Sequence, residues 1–143
     1  MNVCDCREKN RLEIPSQGAR VGEVRAFVGE VAKNCGFTEE EVFDVKLAVS
    51  EACANAIEHG SPRGSNNCVY VECHCNEDDL IISIKDEGVF KRNLVYCTNG
   101  IRGRGIFLML ALMDKVTIDE SRRGTTVNLV KRYNGFNGNG PCC

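Results

Sequence analysis

The stretch 45–60, VKLAVSEACANAIEHG, constrains this chain more than any other. Its apolar residues make one side of a helix that belongs in a core. Upstream, Thr38-Glu39-Glu40-Glu41 is a capping box: the Thr38 hydroxyl and the Glu41 carboxylate each satisfy an orphan backbone donor. Downstream, Gly60, Ser61 and Pro62 stop the helix, which is therefore expected over residues 39–59. One polar pair breaks the apolar logic. Glu51 and Asn55 are four apart, so they stack on one helix face. Ser50, Ala52, Cys53, Ala54 and Ala56 around them are small, so the pair is expected to face outward with little bulk over it. A carboxylate above a carboxamide suits proton abstraction beside a metal ligand. For this stretch alone, a solvated helix face is the plainer alternative.

Composition narrows the classes. The chain has 143 residues, the size of one domain with a proper core. A net charge of −2 gives no basic footprint for nucleic acid. No apolar run is long enough to span a bilayer. The opening MNVCDCREKNRLEIP is polar and charged, unlike a secretory signal, so the expected location is the cytoplasm. There, the ten cysteines are expected to be reduced thiols. Cys4/Cys6, Cys73/Cys75 and Cys142/Cys143 lack the usual Cys-x-x-Cys zinc spacing, so no metal is expected on them. A Cys-x-Cys on a strand puts both thiols on one face, where cysteine behaves as a small hydrophobe.

The rest of the chain divides into short elements. Residues 1–10 read as loosely ordered and 11–14 as a short strand ending at Pro15, with Ser16 placed to cap the next helix. Residues 18–35 repeat apolar side chains at helical spacing, and Gly36 ends that helix. Residues 63–67 form a polar turn. Residues 68–75 and 80–85 are strands joined by an acidic turn. Residues 105–114 form a heavily buried helix. Val116 and Ile118 mark a strand, 120–124 a turn, and 125–131 the last strand. Residues 1–133 make the domain, and the Gly/Asn-rich stretch 134–143 is a flexible tail. The order β-α-α-β-β-loop-α-β-β predicts an α+β, two-layer sandwich: a mixed, mainly antiparallel sheet with its helices on one face.

Three further motifs carry chemistry. Asp86 ends an apolar strand, where a carboxylate can accept a hydrogen bond from an exocyclic amine such as that of adenine. Gly88 lets backbone approach a flat ring. Arg102-Gly103-Arg104-Gly105-Ile106 opens a helix, and free N–H groups beside arginines make a phosphate site. Gly124-Thr125-Thr126 opens the last strand, with hydroxyls that could reach a base or a water beside Asp86. Each motif alone has a bland reading as a common turn, a flexible loop or β-branched residues at a strand start.

Taken together, Glu-x-x-x-Asn, Asp-x-Gly, Arg-Gly-x-Gly and Gly-Thr-Thr, in this order and at these separations, resemble the Bergerat-fold ATPases. Within that superfamily the chain most resembles the anti-sigma factor serine/threonine kinases. The resemblance is carried by VKLAVSEACANAIEHG, IKDEGVF and GRGIFLMLALMDKVTIDESRRGTTVNLVKR, and it covers residues 12–132. It implies ATP and Mg²⁺ as cofactors. It implies Glu51 as general base, Asn55 as magnesium ligand, Asp86 as the adenine-binding carboxylate and Gly88 as the glycine beside the ring. It implies that Arg102, Gly103, Arg104 and Gly105 close the ATP lid on the phosphates and that Thr125 and Thr126 complete the adenine pocket. The partners it implies are a sigma factor and an anti-anti-sigma antagonist that is phosphorylated. Family members commonly form homodimers. One departure is that Val89-Phe90 follow Asp-x-Gly where the family often has a second glycine, so the lid is expected to be stiffer or shorter.

Two other readings compete. One is a binding module, nucleotide-dependent or not, that holds a partner without phosphotransfer. The other is the stand-alone ATP-binding domain of a histidine kinase, weakened because neither His59 nor His74 lies on a dimerisation helix. The carboxylate at Glu51 favours a kinase, since pure binding needs no base.

Overall fold

A computed structural model describes residues 10–88 and 100–133, with side chains from residue 106 onward in the second stretch. The expectations for residues 1–9, for the lid segment 89–99 and for the tail 134–143 lie outside the described residues.

The elements are β1 (Asn10–Pro15), α1 (Val21–Asn34), α2 (Glu39–His59), β2 (Cys68–Cys75), β3 (Asp79–Lys85), α3 (Gly100–Leu112), β4 (Lys115–Ser121) and β5 (Gly124–Arg132). The strands form one sheet in the order β1-β2-β3-β5-β4. All four pairings are antiparallel, so the described sheet has none of the parallel pairs that a mixed sheet would contain. The helices pack on one face. Val69, Val71 and Cys73 of β2, Leu80, Ile82 and Ile84 of β3, and Leu129 of β5 meet Val24 and Val28 of α1, and Val45, Val49 and Ala52 of α2, in a single core. Burying each such valine, leucine or isoleucine is worth ~1.5–3 kcal/mol relative to leaving it exposed.

Helix α2 has the expected bounds. Its capping box is formed: Glu41 N–H donates to Thr38 Oγ1 at 3.1 Å, and Thr38 N–H donates to Glu41 Oε1 at 2.9 Å. Helix α1 ends in a Schellman motif. Gly36 N–H reaches Lys33 O at 3.0 Å and Phe37 N–H reaches Ala32 O at 3.2 Å. Gly36 sits at φ 95°, a conformation that L side chains rarely adopt.

Other expectations are corrected. Residues Gly18–Arg20 form a 3-10 turn, and α1 starts only at Val21, without a side-chain cap. Ser16 caps nothing there, because its hydroxyl accepts from Ser61 Oγ at 2.7 Å instead. Strands β4 and β5 run further toward each other than expected, leaving only Arg122 and Arg123 between them. Helix α3 begins at Gly100 and not at residue 105. A glycine weakens a helix interior by about 1 kcal/mol but does not forbid it. Nor is the described part of α3, from Ile106 on, heavily buried. Met109 and, just past the helix, Met113 enter the core, while Phe107 and Leu110 are exposed, because a two-layer fold covers one side of a helix.

Candidate nucleotide site

The end of β3 meets the end of α2, and the meeting point is Asp86. Along β3, Leu80, Ile82 and Ile84 face the helices, and Asp86 continues that face. Its carboxylate is buried. The N–H groups of Gly88 and Thr125 both donate to Asp86 Oδ1, at 3.0 and 3.1 Å. Asp86 N–H donates to Thr125 O at 2.9 Å, so the two residues are tied across the strands.

Three glycines collar this carboxylate. A Cβ on Gly60 would lie 2.1 Å from Asp86 Oδ2. One on Gly88 would lie 2.6 Å from the Gly60 backbone, and one on Gly124 would lie 2.0 Å from Asp86 O. Gly124 also has φ 143°, which favours glycine independently of space. Sequence reasoning finds Gly88, takes Gly60 for a helix stop, and gives Gly124 no role beyond opening a strand. The clash partners come from distant parts of the chain, so no local signal marks them.

Thr125 lies on the Asp86 face, and its buried Oγ1 has no hydrogen-bond partner among the described residues. Leaving a buried hydroxyl unpaired costs ~1–3 kcal/mol, so this oxygen is suited to a polar group brought by a ligand. Thr126 is not brought to the site. Side chains alternate across a strand, so it shares the opposite sheet face with Asn128, whose Oδ1 accepts from Ser83 Oγ at 2.6 Å.

A carboxylate that no sequence motif marks braces the same corner. Glu87 Oε1 accepts from Asn67 Nδ2 at 2.8 Å and from Cys68 N–H at 3.0 Å, and Glu87 Oε2 accepts from Tyr70 Oη at 2.8 Å. The Asn67 side chain, then the Cys68 N–H and the Tyr70 hydroxyl, hold the Glu87 carboxyl below its ordinary range. The same bond to Glu87 pushes the Tyr70 phenol up to about 12.

Glu51 and Asn55 lie further back along α2. Gly60 caps the helix against Asp86, so Asn55 sits roughly 8 Å and Glu51 roughly 14 Å along the axis from that corner. An extended nucleoside triphosphate spans a gap of that order. The pair does not face outward as expected. Asn55 is buried and Glu51 half-buried, because this face borders the core stripe of Ala48, Ala52 and Ala56. Arg102, Gly103, Arg104 and Gly105 lie within the first turns of α3, with their side chains outside the described residues. A groove of about 500 Å³ between α1 and the N-terminal half of α2, lined by Lys33, Phe37, Val42 and Lys46 among others, contains none of these residues.

Cys73 and Cys75 share the helix-facing side of β2, as a Cys-x-Cys strand requires. Among the described residues, no group of three or more His, Cys, Asp or Glu is placed to hold a metal ion. No described helix is long and apolar enough to cross a membrane.

Comparison with known proteins places the chain by family and fold. The family described as "Histidine kinase-like ATPase domain" matches residues 14–131. The chain is 32% identical to the serine-protein kinase RsbW of Bacillus subtilis (strain 168) over 139 residues, covering 87% of this chain and 85% of that protein. It is 30% identical to the anti-sigma F factor of Clostridium perfringens (strain SM101 / Type A) over 136 residues, covering 88% and 97%. Among solved structures, the RsbU and RsbW domains of Rv1364c from Mycobacterium tuberculosis share the fold with a TM-score of 0.69 at 22% identity, covering 87% of this chain and 32% of that one. The chain belongs to the histidine kinase-like ATPase family, in its branch of anti-sigma factor serine/threonine kinases.

Proposed function

We propose that this protein is an ATP-dependent serine/threonine kinase that binds a sigma factor and phosphorylates an anti-anti-sigma antagonist. The observation that carries the reading is the corner at Asp86. A buried carboxylate, three glycines with no room for a Cβ, and a Thr125 hydroxyl with no partner among the described residues form a cradle suited to a flat base with an exocyclic amine. The serine-protein kinase and anti-sigma factor names of the relatives support the rest.

In this reading Asp86 accepts a hydrogen bond from the adenine amine, and Thr125 pairs with a ring nitrogen or a bridging water. Asn55 offers its amide oxygen to magnesium, a cation that uses few protein ligands. The first turns of α3 present backbone N–H groups and arginines to the phosphates. Glu51 takes the proton of the incoming serine or threonine hydroxyl. Bound ATP with magnesium supplies the phosphoryl group and the charge neutralisation that such transfer needs.

The test separates kinase from binding module. Glu51→Gln keeps the size and one acceptor oxygen but removes the base. Phosphate transfer to the antagonist is expected to fall roughly 10²–10⁴-fold, with ATP and sigma-factor binding unchanged. Single-turnover transfer of labelled γ-phosphate, beside a pull-down, reads both. Transfer at the wild-type rate removes Glu51 from the mechanism. No transfer from the wild type, with the sigma factor still held, leaves the binding module.

A further inference from the structure

Strand β2 outruns β3 at the nucleotide corner. The β2–β3 pairing stops at Tyr70 and Lys85, but β2 begins earlier, at Cys68, where Pro15 of β1 pairs with it. The same register carried onward would set Cys68 opposite Glu87. There the Cys68 N–H is met at 3.0 Å by Glu87 Oε1, a side-chain oxygen, and not by a backbone carbonyl. The Glu87 carboxylate thus finishes the ladder, while the main chain at 86–88 leaves the sheet and closes on the C-cap of α2. Gly88 comes so near that a Cβ on it would lie 2.6 Å from the Gly60 backbone. We infer that Glu87 is the positioning residue of the base pocket: it holds residues 86–88 against Gly60 and so sets the affinity for the adenine nucleotide without touching it. The inference rests on the nucleotide reading of the Asp86 corner.

Consecutive residues of an extended chain point to opposite sides, and here both sides are tied down. On the helix side, Asp86 Oδ1 accepts from the N–H groups of Gly88 and Thr125. On the other side, Glu87 accepts from Asn67 Nδ2 and from Tyr70 Oη, each at 2.8 Å, as well as from Cys68.

The anchor points are themselves fixed. Tyr70 lies within β2, between its pairings with Glu13 and Lys85. Asn67 is buried, and its Oδ1 accepts from Arg63 N–H at 2.6 Å. The Asn67 carbonyl accepts from Ser16 N–H at 2.9 Å. Glu87 therefore takes its position from β2 and from the loop that follows α2, and passes it to Asp86 through a single peptide unit. Removing the carboxylate leaves the Asn67, Cys68 and Tyr70 donors without this acceptor. The chain at 86–88 then loses its hold on β2, and the Asp86 carboxylate shifts with it.

Calorimetric titration of the full chain with ATP and magnesium, and separately with ADP, tests this. Glu87→Ala is expected to lose about tenfold in affinity, the worth of one hydrogen bond to a charged group. ATP and ADP should lose by the same factor, because the change lies at the base end and not at the γ-phosphate. The stoichiometry should keep its wild-type value. A merely structural role would lower the stoichiometry and leave the Kd of the folded fraction unchanged. Glu87→Gln is expected to restore most of the affinity. Its amide oxygen still accepts from Asn67 and Cys68, and its NH2 group faces Tyr70 Oη, which can turn to accept. Tyr70→Phe keeps the ring, removes one donor and should weaken both nucleotides about threefold; it decides the matter if Glu87→Ala fails to fold. Wild-type affinity in these variants overturns the inference. So does a loss confined to ATP, a fall in stoichiometry alone, or a loss that Glu87→Gln does not reverse. Asp86→Asn, titrated beside them, still lowers ATP affinity in each of those cases if the nucleotide reading holds, so the two failures are told apart. A wild-type chain that binds no ATP removes both.

Discussion

Gly60 ends α2, and it also has Asp86 Oδ2 where its own side chain would be. Alanine continues a helix better than glycine, so Gly60→Ala is not expected to harm α2 itself. It must push the Asp86 carboxylate aside. The expected result is a 10- to 100-fold loss of ATP affinity, roughly the worth of a hydrogen bond to a charged group. Calorimetric titration checks the affinity, and circular dichroism checks that the fold persists. Asp86→Asn makes the complementary test. Its amide oxygen can still accept from Gly88 and Thr125, so the fold is kept. An amide that also donates loses its discrimination for the adenine amine, so ATP affinity should fall and the preference over GTP should shrink in competition binding. Equal purine discrimination in wild type and variant would remove Asp86 from the base pocket. The sequence makes Asp86 and Gly88 legible because they stand together at a strand end. Gly60 reads only as a helix stop, because its neighbour in space is 26 positions away in the chain.

At the scale of elements, local signals work where local chemistry dominates. The capping box fixes the start of α2, and period-2 burial fixes β2. The start of α1 is not legible because no cap marks it: the chain enters through a 3-10 turn. Glu87 is hidden for the opposite reason. Its partners Tyr70, Cys68 and Asn67 lie 17, 19 and 20 positions away, and only the β2–β3 register brings them to it. That brace gives a pH dependence. The carboxyl is held below its ordinary value of 4.5 in the folded state, so its contribution is complete above that value. It is lost as the pH falls through the lowered folded value. Glu87→Gln does not titrate there. The stability gap between wild type and Glu87→Gln, read from urea midpoints, should therefore narrow as pH falls from neutrality toward 3. A gap independent of pH would mean that the three hydrogen bonds do not depend on the charge.

At the scale of the whole molecule, α2 serves both ends. Its N-terminal half borders the groove beside Lys33 and Phe37, and its C-terminal end meets the Asp86 corner. The two-layer arrangement is legible from the order of elements, since β2 and β3 alternate and α1 and α2 each carry one apolar stripe. The strand order is not, because β5 enters the sheet between β3 and β4, a choice made by packing and not by sequence neighbours. The same logic hides the exposure of Phe107 and Leu110, since an apolar helix does not say which of its sides is covered.

The glycine collar also predicts how the chain tolerates change. Positions 60, 88 and 124 have no volume to spare: a methyl group would meet the Asp86 carboxylate at 60, the Gly60 backbone at 88 and the Asp86 carbonyl at 124. In a saturation library selected for ATP binding, all three should lose every substitution, alanine included. Gly18 and Gly64 have open space where a Cβ would go. Gly18 should accept alanine freely, and Gly64, at φ 60°, should favour asparagine among replacements. Three intolerant points spread across 65 residues of sequence would then trace one small volume, so the library would locate the base pocket without a ligand. Alanine recovered at position 60 at the frequency seen at position 18 would show that the Asp86 carboxylate has somewhere else to go.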